Sequence, residues 1–110
     1  MTGNHLRFFR TADGSPRASG DSESDRVLAR FLESDIQDDP VTARELLTRL
    51  EAPIAEDGHA DAFVGNAFAL TRDGDTVTLA GHAEGNIESA MLDLESTKQA
   101  VSDWLSFVSE

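Results

Sequence analysis

The sequence predicts a single α+β domain over residues 1–110: an antiparallel sheet built from two β-hairpins plus a short strand, with three helices packed on it, in the order ββ-αα-ββ-β-α. Two observations carry this. Segments that alternate apolar and polar residues close on Asp-Gly pairs, Asp13-Gly14 and Asp73-Gly74, which supply the positive φ angles of tight hairpin turns. Elsewhere, apolar residues recur at helical spacing behind Asp, Ser and Thr residues able to cap a helix.

The first hairpin runs through Leu6-Arg7-Phe8-Phe9-Arg10 and returns through Arg17-Ala18-Ser19. Phe8 and Phe9 are adjacent, so on a strand they point to opposite faces. The first helix opens at Gly20-Asp21-Ser22-Glu23-Ser24-Asp25, where Asp21, Ser22 and Ser24 are competent caps and the acids suit the helix dipole. Val27, Leu28, Phe31 and Leu32 form its core stripe. Asp38, Asp39 and Pro40 end that helix and start a second. The cap is either Asp39 ahead of Pro40 or a capping box of Thr42 and Glu45. Leu46, Leu47 and Leu50 give the second stripe, Pro53 stops it, and a polar loop follows from Ala55 to Ala60.

The main hairpin is expected from about Ala62 to Gly81, with Val64, Asn66, Phe68 and Leu70 alternating along one strand. A two-residue Asp73-Gly74 turn sets Arg72 opposite Asp75, Leu70 opposite Val77 and Phe68 opposite Leu79. Phe63 is out of phase with that stripe. Ala90-Met91-Leu92 reads as a short strand. The segment from Glu95 to Val108 reads as a helix burying Val101, Trp104, Leu105 and Val108.

Charge sets the strongest bounds. Twenty-one acidic residues face nine basic ones, giving a formal charge of −12, and Lys98 is the lone lysine. The acids are dispersed, which does not fit an acidic tail and fits a protein hydrated in a high-salt cytoplasm. Nucleic-acid binding is not expected: Arg7, Arg10 and Arg17 make weak electrostatics against that total. No apolar run approaches the roughly 20 residues of a membrane span. The opening residues lack the apolar core of a secretory signal, so the expected location is cytoplasmic. Absence of cysteine removes disulfides, thiolate metal sites and cysteine nucleophiles.

Catalytic motifs are missing. His59-Ala60-Asp61 and His82-Ala83-Glu84 each place a carboxylate two residues after an imidazole, the pairing of a metal ligand or an oriented base. In so acidic a chain that pairing is expected by chance, and His5 has no such neighbour. The acidic runs at Asp21–Asp25 and Asp35–Asp39 lack the Gly and Glu positions of a calcium loop and read as helix-start acids. No Ser nucleophile elbow and no phosphate-binding Gly-rich loop is present. No catalytic residue, cofactor or metal is therefore expected. Phe8, Phe9 and Phe63, the aromatics that fall out of phase with the core, are the candidate partner surface, for an unidentified protein partner or a second copy of the chain.

The chain resembles the YacL family of small uncharacterised bacterial proteins. The likeness rests on Leu6-Arg7-Phe8-Phe9-Arg10, Asp13-Gly14-Ser15-Pro16-Arg17-Ala18, Leu46-Leu47, and Phe68-Ala69-Leu70 before Asp73-Gly74-Asp75-Thr76-Val77. It closes on Leu94-Glu95, Trp104 and Phe107. The resemblance covers nearly the whole chain and implies a fold but no activity. The segment from Gly81 to Ser89 is shorter and more polar than the family pattern.

Three functions remain open: a non-enzymatic interaction or regulatory module, an immunity-like inhibitor of a basic enzyme, and a small enzyme or ligand binder using His59 or His82. The charge itself is testable. Folding gathers carboxylates whose repulsion is weakly screened in dilute buffer, whereas at molar salt the Debye length falls to about 3 Å. Moving from dilute buffer to molar KCl near neutral pH is expected to raise Tm by several degrees. Partial protonation near pH ~5 should do the same. A Tm flat in both series contradicts the high-salt reading.

Overall fold

A computed structural model describes residues 6–51, 61–82, 85 and 88–109 of the chain. Strands β1 (Arg7–Arg10) and β2 (Pro16–Ser19) form a two-stranded antiparallel ribbon. Strands β3 (Asp61–Val64), β4 (Phe68–Asp73), β5 (Thr76–Gly81) and β6 (Ser89–Asp93) form a four-stranded antiparallel sheet in sequential order. The helices are α1 (Glu23–Phe31), α2 (Pro40–Glu51) and α3 (Leu94–Val108), with a π-helical turn over Leu32–Ile36 directly after α1. This is an α+β fold. Its two hairpin regions belong to separate sheets where the sequence suggested one.

Each helix begins as its cap chemistry dictates. Ser22 accepts from the Asp25 amide at 3.0 Å and opens α1. Of the two possible caps for α2, Asp39 is used: its carboxylate takes the Val41 amide at 3.0 Å and the Thr42 hydroxyl at 2.8 Å, with Pro40 as first helical residue. Asp93 ends β6 and caps α3 by accepting from the Ser96 amide at 2.9 Å. The C-terminal ends are served from the sheets. Buried Arg72 donates to the carbonyls of Arg49 (3.3 Å) and Leu50 (3.0 Å) at the end of α2. Arg10 donates to the Phe107 carbonyl at 3.2 Å and lies 4.9 Å from the centre of that ring.

One core joins the layers. Phe68, Leu70, Val77 and Leu79 on the inner sheet face are buried together with Val27, Leu28, Phe31 and Leu32 and with Ala100, Val101 and Trp104 of α3. The β1–β2 ribbon lies against α1 and the π-turn through β2, and its Phe8 meets Trp104 of α3 edge-on with ring centres 5.3 Å apart.

Three expectations change. The single strand expected through Val64, Asn66 and Phe68 is two strands, β3 and β4, turning at residues 65–67 and pairing Phe63 with Leu70. The turn reverses the phase, so Phe63 faces the core, 6.1 Å from the Phe31 ring, and Val64 is the exposed neighbour. The β4–β5 register is displaced by two residues: Asp73 pairs with Thr76, Arg72 with Val77, Leu70 with Leu79 and Phe68 with Gly81. An even displacement keeps every side chain on its face, so the expected apolar set is still buried. Arg72 consequently faces α2 and not Asp75. Asp35, expected among helix-start acids, lies in the π-turn, where its carboxylate accepts from the Ala67 and Phe68 amides at 2.9 and 3.0 Å.

Trp104 is fully buried and its indole Nε1 donates to the Gln37 carbonyl at 2.7 Å. Trp104→Ala is expected to cost about 3–5 kcal/mol in chemical denaturation. A Tm within a degree or two of the parent would place Trp104 outside the core. Asp35→Asn leaves one amide facing an NH2 group in place of an acceptor. It is expected to cost about 1–3 kcal/mol, with the same native circular dichroism.

The caps also set an acid limit. The Thr42 hydroxyl and Val41 amide hold Asp39 below the ordinary carboxylate value, the Ser96 hydroxyl and amide do so for Asp93, and the Thr11 and Ser15 groups do so for Asp13. A folded-state pKa below the unfolded value of 3.8 stabilises above that value. The contribution is lost as pH falls through the folded pKa. Stability should therefore rise on mild acidification, as repulsion falls, and turn down below pH ~4 as these carboxylates protonate. Asp93→Asn should flatten that acid limb in urea titrations at stepped pH.

Candidate functional site

The helices occupy one face of the four-stranded sheet and leave the other open among the described residues. Strand alternation decides what that open face carries. Opposite the buried Phe68, Leu70, Val77 and Leu79 stand Ala69, Thr71, Thr78 and Ala80. The registers align them in cross-strand rows: Val64, Ala69, Ala80 and Ser89 in one, and Thr71, Thr78 and Met91 in the next. A third row, Asp73, Thr76 and Asp93, closes the face with acids at one end only. Val64 and Met91 are 70% and 71% exposed, the most exposed large hydrophobics among the described residues.

In a chain where 27% of residues are charged, the first two rows form an uncharged surface of methyl and hydroxyl groups from which Val64 and Met91 project. The alternation Ala-Leu-Thr in β4 and Thr-Val-Thr-Leu-Ala in β5 is the sequence signal for this face.

Those aromatics are dispersed. Phe8 is half-buried on the Trp104 and Phe107 rings, at 5.3 and 5.6 Å. Phe63 packs on Phe31. Phe9 alone of the three is exposed, opposite Arg17 on the outer side of the ribbon. The structure thus does not bring Phe8, Phe9 and Phe63 into one patch, because the β3–β4 turn and the ribbon's packing on α3 direct two of them inward.

The histidines divide likewise. His5 and His59 lie outside the described residues. His82 follows β5, and its Nε2 stands 2.7 Å from the Gly65 carbonyl while its amide donates to Ala67 at 3.0 Å. Its ring thus braces the β3–β4 turn. That turn is clasped from the other side by Asp35, whose Oδ2 would lie 2.4 Å from a Cβ at Gly65. The Asn66 amide group donates to the Ser34 carbonyl at 3.1 Å. The arrangement is a structural joint of the helical and sheet layers. Among the described residues no three His, Asp or Glu side chains gather closely enough to hold a metal ion.

Two polar grooves border these elements. One of about 300 Å3 is lined by Ser15, Pro16, Arg17, Glu33, Gln37 and Asp38. The other, about 470 Å3, runs between α1 and the outer edge of β6, lined by Glu23, Arg26, Val27, Arg30, Glu88 and Ser89. Among the described residues no helix is long and apolar enough to cross a membrane. No family model, curated protein or solved structure matches the chain.

Proposed function

We propose that this chain is a non-enzymatic protein-interaction module of a salt-adapted cytoplasm, which meets its partner through the open face of the four-stranded sheet. The observation that carries the reading is the uncharged Ala, Thr and Ser surface bearing exposed Val64 and Met91 on an otherwise acidic body. Such a surface loses little on desolvation, because its hydroxyls find new partners and it buries no unpaired charge. The surrounding acids keep the free protein hydrated. Kinship with the YacL family is part of this proposal and adds no activity to it.

Asp73, Asp75 and Asp93 at one end of the face favour a second reading, an immunity-like inhibitor seated on a basic enzyme. The two readings part on kinetics. Neutralising Asp73→Asn and Asp75→Asn should slow association several-fold at low salt if the partner is basic, and leave it unchanged otherwise.

Thr78 lies at the centre of the face. Thr78→Arg is expected to leave Tm within a degree or two of the parent. It should abolish retention of a partner that the immobilised parent captures from the native cell at native salt. Identical sets of retained proteins for parent and variant would refute the open face as the contact.

A further inference from the structure

Strand β6 ends the sheet, and the direction of its backbone groups follows from the ladder. The Gly81 amide donates to Glu88 and the Leu94 amide to Asp75, both at 2.7 Å, so residues 88 and 94 turn their main-chain groups toward β5. Alternation does the same for Ala90 and Leu92 and turns those of Ser89, Met91 and Asp93 outward. The Asp93 carbonyl is taken by the Thr97 hydroxyl at 2.9 Å. The amides and carbonyls of Ser89 and Met91 hydrogen-bond to none of the described residues. They form a short run of free donors and acceptors on an exposed edge.

Charge beside this edge is graded. Near Ser89 the flanking groove carries Arg26 and Arg30 beside a Glu23 that it shares with the Met91 end, with Arg30 paired to Glu88. Near Met91 the flanking residues are Glu23 and Ser24. Helix α1 therefore runs antiparallel to β6, with Glu23 at one end of the strand's edge and Arg30 at the other. A two-fold axis through Ala90 would set Ser89 of one copy opposite Met91 of its partner. That register pairs all four free main-chain groups of each copy. It also lays the two α1 helices antiparallel, so the Glu23 end of one meets the Arg26 and Arg30 stretch of the other. Small Ala90 falls at the axis, where strands approach most closely.

We propose that the β6 edge is the contact between two copies of this chain, paired antiparallel about Ala90 into a continuous eight-stranded sheet. The occupant is a second copy because the charge gradient along the edge is complementary to itself under that axis. A uniformly basic or acidic strand would meet the wrong sign at one end. The proposal is independent of the open face, which the pairing leaves uncovered and doubles in area.

Sedimentation equilibrium of the full chain in ~0.15 M and ~1 M KCl tests it. The parent is expected to approach twice 11.9 kDa as concentration rises. Met91→Pro removes an outward amide while leaving the β5 ladder intact, and should give a monomer. Met91→Ser keeps the amide and should remain dimeric. Glu23→Arg and Arg30→Glu should each weaken dimerisation on the order of ten-fold, and the double reversal should restore it. A parent that stays monomeric at every concentration overturns the proposal. So does a dimer indifferent to Met91→Pro, or a double reversal no better than its components. Should Met91→Pro lose its native circular dichroism, the three charge variants decide alone. Failure here leaves the open face standing, since partner capture by the Thr78→Arg variant is read apart from self-association.

Discussion

The carboxylate of Asp35 is the buried polar link that joins the turn after α1 to the start of β4, with the Asn66 amide on the Ser34 carbonyl beside it. It sits in the π-helical turn after α1, buried, and accepts from the Ser34 hydroxyl at 2.8 Å and from the Ala67 and Phe68 amides across the interior. Those two amides lead into β4, and a neutral acceptor would serve them less well than a charged one. The π-turn is what aims the side chain there. Widening the last turn of the helix takes up one extra residue, so Leu32 and Ile36 stay in the core while Asp35 reaches the sheet. Gln37 completes the manoeuvre at a φ of 59°, held by its amide to Leu32, its carbonyl to Trp104 and its side chain to Ser34.

The rest of the architecture follows from this joint. With β4 fixed beneath the π-turn, the Phe68 ring lies 6.4 Å from that of Phe31 in α1, Leu70 follows in the core, and Arg72, one further step along the same face, reaches the end of α2. A chain with so few cations places two of its arginines on helix C-termini. Arg72 caps α2 from the sheet and Arg10 caps α3 from the ribbon. Each helix end thus receives charge from a strand remote in sequence, so helix formation and sheet docking reinforce each other. The remaining described surface is predominantly acidic, with exposed Arg7, Arg17, Arg26, Arg30, Arg44 and Arg49 scattered among the carboxylates.

Much of this was legible locally. Ser22, Asp39 with Pro40, and the stripe ending in Trp104 announced the helices, because caps and apolar spacing act within a few residues of one another. The β4–β5 faces were legible for the same reason, since alternation survives a register displaced by two. What remained hidden depends on distant partners. Nothing near Asp35 distinguishes a carboxylate that clasps a turn 32 residues later from one that decorates a helix start. Nor does Arg72 declare that its partner is a helix end. Gly65-Asn66 was a readable turn signal, and taking it as such would have separated β3 from β4 and put Phe63 inside. The open face was legible in the Ala and Thr alternation. The β6 edge was not, because an edge exists only once strand order is known.

The position of Trp104 has a spectroscopic consequence. The chain contains one Trp and no Tyr, so the indole is its dominant near-ultraviolet chromophore. That chromophore lies on α3, is bonded to the Gln37 carbonyl after the π-turn, and is covered edge-on by Phe8 of the ribbon. Its emission and its near-ultraviolet circular dichroism therefore report the docking of three separate segments and say little about helix content. Detachment of the ribbon alone would alter the signal while the four-stranded sheet stayed whole. Comparing the indole signal with far-ultraviolet ellipticity turns one natural side chain into a gauge of whether the layers of this fold come apart together or in sequence.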